Sequence, residues 1–475
     1  MRTLLIVHRY LGVVVGLVVT LWCLSGFVMM YRGYPAVSPA QRLKGLEALA
    51  LPTGAPAPDL GGEPLSGFRI EMMAGRPVLH LAGSDGPRLI DLVAGVAVEH
   101  IGPAGAVAQA QAYAAGQGVR ARPGPAWLIE QDQWTVEGAA ARGAVYRVKF
   151  DDADRTVVYV AARSGEVVQA TDRSSRLWAW LGAAPHWLYL HALRRHTQLW
   201  IQVVIWTSLA GVFLTATGLY VGIARFQRTR DGRWSPYRGW RYWHHVIGLV
   251  FGLFTLTWVT SGLLTVNPWG LLESSATGTF GDTLSGRVAP AEVQRFLQAA
   301  PRVIAPGAVT LEAKPLGGRL FVLQRFGDGR VLRLDGEGRP ASLGRAEVAA
   351  ALARAGEGRA RLELMNRPDA YYYPNYDGPA PLPVWKTSLA GPGRRVAYLD
   401  PVSGEVRLAV DGAARASRWI RTGLHDFDFP GLSARPLWDL VVLMLLAGVT
   451  AGAITGAWLS IKRVMLDLSR LQRRR

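Results

Sequence analysis

Four long runs of apolar residues dominate the pattern of hydrophobic and polar positions along the chain. They occupy residues 4–31, 199–224, 246–266 and 437–461. Each run exceeds the roughly 20 residues that a helix needs to cross the hydrocarbon core of a bilayer. The pattern therefore predicts a membrane bundle of four transmembrane helices, at residues 1–33, 198–225, 243–268 and 435–462.

Shorter stretches with strand-like alternation separate the first run from the second and the third from the fourth. In each stretch an alanine-rich helical pattern, at 106–115 or 345–355, lies between short strand patterns. Helices mixed with short strands in this way are typical of α+β folds. We therefore predict two α+β domains outside the membrane, at 34–197 and 269–434. His80, in the first domain, belongs to no recognisable cluster, and we interpret it as a surface residue.

The two halves of the chain repeat each other without a gap through their first membrane runs. At a constant offset of 236 residues, His8 falls on His244. Glycines, a tryptophan and a serine keep the same register, as Gly12 on Gly248, Gly16 on Gly252, Trp22 on Trp258 and Ser25 on Ser261. At an offset of 239, His186 falls on His425 before the second run of each half. The sequence therefore predicts two homologous halves, each with a histidine at either end of its membrane region.

Charge and cysteine content bear on the topology and on the kind of site. The formal net charge is +18, and basic residues crowd into 226–242 and 463–475. Short basic segments beside membrane helices stay in the cytoplasm, so we predict a cytoplasmic loop, a cytoplasmic tail and both termini inside the cell. The expected partner of these charges is the lipid bilayer, and no nucleic acid is expected. The single cysteine, Cys23, excludes an intramolecular disulfide, a CxxC redox pair and a thiolate metal cluster.

The repeated histidines are the candidate chemistry. Imidazole is a common ligand of haem iron, copper and zinc. A zinc site needs more ligands than one histidine pair supplies, whereas a six-coordinate haem needs one imidazole on each side. We therefore interpret His8 with His244, and His186 with His425, as two haem sites. His245 competes with His244 as a ligand. The glycines that follow the first histidine of each half either let a partner helix approach or leave room for a porphyrin.

Several short motifs resemble the PepSY-associated transmembrane proteins of bacterial inner membranes. The resemblance covers nearly the whole chain, and its motifs include His8-Arg9-Tyr10-Leu11-Gly12, Pro185-His186-Trp187-Leu188-Tyr189, Asn267-Pro268-Trp269-Gly270, Leu424-His425-Asp426-Phe427-Asp428-Phe429 and Arg435-Pro436-Leu437-Trp438-Asp439. It implies a multi-pass inner-membrane protein with two periplasmic PepSY-like domains. One branch of the family comprises ferric-siderophore reductases that carry two haems on histidines of this type, so the resemblance implies two haem b groups. In other branches the histidine lies closer to the membrane, which makes His191 an alternative to His186.

These observations predict a haem protein that moves electrons across the inner membrane and reduces a periplasmic ferric chelate such as a ferric siderophore. It would then be a haem-dependent ferric-siderophore reductase, although the sequence alone leaves its status as an enzyme open. The chain contains no nucleotide-binding fingerprint, so the electron donor must be another molecule, either a quinol or a cytoplasmic reductase. The alternative is a haem-free PepSY scaffold or regulator that binds a periplasmic peptide or protein. A Soret absorption band in the purified protein separates the two hypotheses.

Overall fold

The computed structural model describes residues 2–54, 56–83, 86–230, 232–374, 380–389 and 395–473. The last two arginines of the predicted cytoplasmic tail, Arg474 and Arg475, lie outside these residues. The chain forms two compact units. The one that we call the membrane unit comprises Met1–Tyr34, Arg176–Glu273 and Ala413–Arg475, and the one that we call the sheet unit comprises Pro35–Ser175 and Ser274–Gly412.

The α-helices of the described chain are, in order, α1 Arg2–Met29, α2 Pro39–Lys44, α3 Pro103–Gly116, α4 Ala139–Arg142, α5 Arg173–Leu181, α6 Ala183–His186, α7 His191–Arg194, α8 Thr197–Ala224, α9 Trp240–Thr265, α10 Ala276–Ser285, α11 Pro290–Val303, α12 Arg345–Arg354, α13 Gly412–Ala416, α14 Leu424–Asp426 and α15 Leu437–Gln472. A 3-10 turn at Pro268–Gly270 follows α9, and a π-helical stretch at Ser417–Gly423 precedes α14.

Four of these helices are long and apolar enough to cross a membrane, which confirms the four predicted spans. The matching segments are Thr3–Met29 in α1, Thr197–Ala224 in α8, Trp240–Thr265 in α9 and Leu437–Arg470 in α15. Helix α15 continues past the predicted membrane boundary at 462. An ion pair of 3.0 Å between Arg463 and Asp467, one turn apart, supports this polar extension.

The four spans pack as a ring in which α1 contacts α15 and α8, and α9 contacts the same two helices. Helices α1 and α9 therefore face each other across the bundle. A Cβ at Gly12 would lie 2.7 Å from Oγ of Ser460 in α15, and one at Gly252 would lie 2.6 Å from the Leu219 side chain in α8. Gly12 and Gly252 therefore serve close helix packing, the first of the two roles that the sequence left open, whereas a Cβ at Gly248 would meet nothing within 4 Å.

The strands of the described chain are, in order, β1 Gly67–Met73, β2 Arg76–Gly83, β3 Gly86–Asp91, β4 Val96–Ala97, β5 Pro123–Ile129, β6 Val145–Phe150, β7 Val157–Ala161, β8 Val167–Thr171, β9 Ala308–Ala313, β10 Phe321–Phe326, β11 Val331–Asp335, β12 Arg361–Met365, β13 Val384–Ser388, β14 Val396–Leu399 and β15 Val406–Val410. They form a seven-stranded sheet of order β11-β10-β9-β1-β2-β3-β4 and two four-stranded sheets, β5-β6-β7-β8 and β12-β13-β14-β15.

The seven-stranded sheet joins the two segments that the sequence assigned to separate domains. Strand β1 pairs antiparallel with β9, so that Ile70 lies opposite Leu311. One core contains Phe68 and Ile70 from the first segment together with Phe296 and Leu311 from the second. The prediction of two independent domains is corrected here to one sheet unit. The physical reason is that each meander leaves an edge strand unpaired, and joining the two meanders covers both edges.

The ends of the predicted outer domains also shift. Residues 176–197 and 413–434 belong to the membrane unit rather than to the sheet unit. The alanine-rich helices predicted from the sequence are present as α3 and α12. Helix α3 packs on the β5–β8 sheet, and α12 packs on the β12–β15 sheet. The α+β character of the sheet unit is therefore as predicted, while its connectivity is not.

Candidate functional site

The structure brings His8 and His244 together inside the membrane unit. His8 lies near the N-terminal end of α1, and His244 lies near the N-terminal end of α9. Their ring centroids are 6.3 Å apart, with an angle of 32° between the ring planes. Because α1 and α9 face each other across the bundle, the two rings meet in its interior. We call these two residues the first pair.

Backbone carbonyls of the neighbouring spans orient both rings of the first pair. Nδ1 of His8 lies 3.0 Å from the carbonyl oxygen of Leu214 in α8, and Nδ1 of His244 lies 3.2 Å from that of Gly452 in α15. A carbonyl oxygen only accepts, so each Nδ1 donates its hydrogen, and Nε2 of a neutral ring keeps its lone pair. Nε2 of neither ring hydrogen-bonds to a described residue. Each ring therefore has one nitrogen available as a ligand.

Two glycines lie directly against the first pair. A Cβ atom at Gly218 would be 2.6 Å from Cε1 of His8, and one at Gly456 would be 2.8 Å from Cε1 of His244. The rings thus pack on bare backbone of α8 and α15, where no larger residue fits without displacing them. Both glycines follow a threonine, as Thr217-Gly218 and Thr455-Gly456, but nothing in the sequence shows which helix faces each histidine.

His186 and His425 form a second pair, also within the membrane unit. His186 ends the short helix α6, and His425 lies in the short helix α14. Their ring centroids are 6.2 Å apart, with 59° between the ring planes. Neither α6 nor α14 is a membrane span. The histidines of the second pair therefore lie in short helices outside the spans, where α6 precedes α7 and α14 precedes α15.

Serines of the spans α1 and α9 orient the second pair. Nδ1 of His186 lies 3.1 Å from Oγ of Ser25 and 3.2 Å from the carbonyl oxygen of Trp22. Nδ1 of His425 lies 3.1 Å from Oγ of Ser261. Both serines are buried. The repeat aligned them, but sequence reasoning assigned them no function, since a serine in a membrane helix commonly bonds to its own backbone.

The backbone makes the same unusual turn after each histidine of the second pair. Leu188 has φ +53° and Phe427 has φ +55°. A left-handed conformation is uncommon for residues other than glycine and occurs where the surroundings enforce it. Each turn lies two residues after its histidine. Both short helices are therefore followed by a left-handed residue at the same position relative to the histidine.

The two competing histidines differ from the pairs. His245 is buried, with Nδ1 2.7 Å from Oγ of Ser235 and Nε2 2.8 Å from the carbonyl oxygen of Gly222. Both of its ring nitrogens are engaged, so it ties the basic loop to the end of α8 and has no nitrogen free for a metal. His191 begins α7. The partner that the structure places against His425 is His186.

The geometry and the donor set of both pairs fit a haem iron. With a metal–nitrogen bond of about 2.0–2.1 Å, two imidazoles that coordinate one ion from opposite sides have ring centroids roughly 6 Å apart. The observed separations are 6.3 and 6.2 Å. Two imidazoles are an established axial set for haem but too few ligands for a structural zinc site. Among the described residues, no third histidine, cysteine or carboxylate joins either pair.

A different cluster occupies the sheet unit and corrects the interpretation of His80. Nε2 of His80 lies 3.2 Å from Glu71, which is 4% exposed. Glu71 and Glu166 also bind Arg42 and Arg69. Burial alone would raise the pKa of Glu71, but the close contact with the His80 imidazole and the charges of Arg69 and Arg42 lower it to about 2. Two guanidinium groups already neutralise the carboxylates, so the cluster is an ion network rather than a cation site.

A comparison with known protein families finds a match. Residues 5–463 match the family model described as the PepSY-associated TM region. No curated protein matches the chain. The match extends over all four spans, both histidine pairs and the sheet unit. The chain therefore belongs to the family of PepSY-associated transmembrane proteins.

Proposed function

We propose that the membrane unit binds two haem b groups and carries electrons across the bacterial inner membrane to a periplasmic ferric chelate, such as a ferric siderophore. When bound, haem iron takes up and releases one electron by alternating between its ferric and ferrous states. The four histidines of the two pairs would hold the two groups. The spans and their carbonyls and hydroxyls would orient those histidines.

The observation that carries the proposal is the geometry of the pairs. Each pair combines a ring separation suited to two axial ligands with Nδ1 bonded to an acceptor. Metal-bound histidines typically donate their second ring N–H to a carbonyl or another acceptor, which fixes the tautomer and raises ligand basicity. A buried histidine without such a function more often satisfies both nitrogens, as His245 does. The four histidines of the two pairs depart from that pattern in the same way.

The positions of the two pairs support movement of electrons across the membrane. Helix α1 carries His8 of the first pair and Ser25, which bonds to the second pair; α9 carries His244 and Ser261 in the same order. At 1.5 Å per residue these positions are roughly 25 Å apart along each helix. That distance approaches the thickness of the hydrocarbon core. One site would therefore lie near each surface of the bilayer.

The basic segment 226–242 supports the orientation. It joins the end of α8 to the start of α9, the end of the bundle at which the first pair lies. Short arginine-rich loops stay in the cytoplasm. The first pair would then face the cytoplasm, where a quinol or a cytoplasmic reductase would supply electrons. The second pair would face the periplasm, where the ferric chelate is the acceptor.

The decisive experiment is the absorption spectrum of the full chain purified from membranes of cells supplied with haem precursors. We expect a Soret band, two haem b groups per chain by the pyridine haemochrome assay, and spectra typical of two axial imidazoles. A chain with both His8→Ala and His186→Ala serves as the control and should be nearly colourless. A well-folded wild-type chain without haem would contradict the proposal and favour the haem-free scaffold.

The direction of electron flow needs a second measurement. The reduced protein in sealed liposomes, oriented by a protease test of the C-terminus, is mixed with a ferric hydroxamate and a ferrous-iron indicator. We expect the reduced haem bands to decay as the indicator reports ferrous iron, and only when the chelate is added on the side opposite the C-terminus. Reoxidation only from the side of the C-terminus would contradict the proposed orientation.

A further inference from the structure

The hydroxyl hydrogens of Ser25 and Ser261 have identifiable acceptors. Oγ of Ser25 donates to the carbonyl oxygen of Trp22 at 3.0 Å, and Oγ of Ser261 donates to that of Trp258 at 3.2 Å. A hydroxyl has one hydrogen and two lone pairs. With the hydrogen used, each serine oxygen can only accept from the neighbouring imidazole. Nδ1 of His186 and of His425 must then be the protonated nitrogen.

We propose that Ser25 and Ser261 are positioning residues of the second pair: each serine accepts the Nδ1 hydrogen of its histidine and so holds Nε2 unprotonated and available as a ligand. This inference rests on the proposed haem function. Through the same hydrogen bond the serines raise the basicity of the two imidazoles. A more basic histidine ligand stabilises ferric over ferrous iron. The serines therefore lower the reduction potential of the haem site at the second pair, which we call the second site, as opposed to the first site at the first pair.

The serines do this because the histidines that they serve are not part of the spans. The first pair is itself on α1 and α9 and lies against carbonyls of the adjacent spans α8 and α15. The second pair lies on α6 and α14, whose four and three residues make too short a helix to set a side chain by themselves. The serine hydroxyl on α1 or α9 extends from the backbone and supplies the hydrogen-bond acceptor for Nδ1. Serine is the smallest residue that can do so in a buried position.

The test removes the hydroxyls and follows the two sites separately. Ser25→Ala, Ser261→Ala and the double variant are purified as the full haem-loaded chain. Haem content, and the reduction potential of each site by spectroelectrochemical titration, are the measurements. Thr20→Val on α1 and Thr255→Val on α9 are matched controls, because within the described part of the chain those hydroxyls bond only to their own helix, at Gly16 and Phe251.

We expect the second site to lose haem affinity by about tenfold or more in the double variant, the effect typical of removing an outer-shell partner. Its reduction potential should rise, by about 59 mV if the hydrogen bond changes the relative affinity for ferric and ferrous iron tenfold. The first site should keep its potential and its occupancy, and the threonine controls should leave both sites unchanged. Ser25→Thr and Ser261→Thr, which keep the hydroxyl, should restore the potential of the second site.

The outcomes separate this inference from the proposed function. A wild-type chain without haem contradicts the proposed function. Two haems in the wild type with an unchanged second site in the double alanine variant contradict only the role of the serines. Misfolding would show as loss of the first-site spectrum, since α1 and α9 form that site as well; the threonine variants, which keep the hydroxyl, then decide the question. Equal shifts in both sites would also overturn the inference.

Discussion

The two histidine pairs are built from the same helices in opposite roles. At the first pair, α1 and α9 supply the histidines, and the neighbouring spans α8 and α15 supply the carbonyls that orient them. At the second pair, α1 and α9 supply the orienting serines, and the short helices α6 and α14 supply the histidines. Helices α1 and α9 thus belong to both sites, whereas every other helix in this arrangement belongs to one. A change confined to α6, α8, α14 or α15 should therefore affect one pair selectively.

The surroundings of the pairs differ as much as their construction. Glycine backbone lies against both rings of the first pair, so its two halves look alike. Around the second pair they do not. Trp187 packs on Tyr189 with ring centroids 5.2 Å apart, whereas the residues at the same offset after His425 are aspartates, one of which binds Arg418 at 2.8 Å. The two halves of the first pair are therefore alike, whereas the second pair has aromatic residues at these positions after His186 and acidic residues at the matching positions after His425.

The largest effect should follow from removing a histidine of the first pair. His244→Ala leaves His8 without its opposite ligand, so we expect loss of one haem while the other keeps its spectrum. His245→Ala is the matched control on the adjacent residue. It removes hydrogen bonds to Ser235 and Gly222 and should lower thermal stability, by about 1–3 kcal/mol, with both haems retained. Loss of haem from the control alone would show that the neighbouring histidine is the ligand.

Removing a histidine of the second pair should cause a comparable loss of haem. This experiment also decides whether His186 or His191 is the haem ligand from the first half of the chain. His186→Ala should empty the second site, because His186 is the ring against His425. His191→Ala should keep two haems. The haem content and the spectrum of each variant are the measurements. Full occupancy in the first variant together with a missing haem in the second would make His191 the ligand.

A smaller, selective effect should follow from crowding the first pair. Gly218→Ala and Gly456→Ala each place a methyl group less than 3 Å from Cε1 of a histidine, so the ring must rotate or shift. We expect weaker haem retention and a changed spectrum at the first site only. Gly248→Ala, on α9 where a Cβ has nothing within 4 Å, is the control. If the control and the two variants behave alike, the glycines do not shape the site.

A still smaller effect should expose the asymmetry within the second pair. Nε1 of Trp258 donates to the carbonyl oxygen of His425 at 2.9 Å. Nε1 of Trp22, its counterpart, is buried and has no hydrogen-bond partner among the described residues. Trp258→Phe should therefore broaden or shift the spectrum of the second site slightly, and Trp22→Phe should change it less, because that substitution removes no hydrogen bond. Equal shifts would contradict the assigned contacts.

A substitution in the sheet unit should leave both histidine pairs unaffected. The pKa of Glu71 is about 2 in the folded chain, against an ordinary value of 4.5. Its ionised form thus stabilises the fold above the unfolded pKa, and that contribution is lost as the pH falls from about 4.5 towards 2. Glu71→Gln should flatten the pH dependence of thermal unfolding in this window, measured by circular dichroism. The haem spectra at neutral pH should match those of the wild type.

Much of this architecture can be predicted from the sequence because its causes are local. A span needs about 20 apolar residues in succession, so the four membrane helices are evident in the pattern. The two halves of the sequence align at offsets of 236 and 239 residues, so His8 with His244 and His186 with His425 can be paired from the sequence alone. The helices α3 and α12 follow from composition and periodicity in the same way.

The rest was decided by tertiary structure, because it depends on contacts between distant residues. Successive residues on a helix point about 100° apart, so only the packing of α9 against α8 shows that His245 turns to Gly222 while His244 meets His8. Strand patterns mark β1 and β9 but do not name their partners, and the joined sheet is visible only in the fold. Ser25 and Ser261 look like ordinary membrane serines in the sequence. They contact the second pair only because α6 and α14 fold back onto the spans.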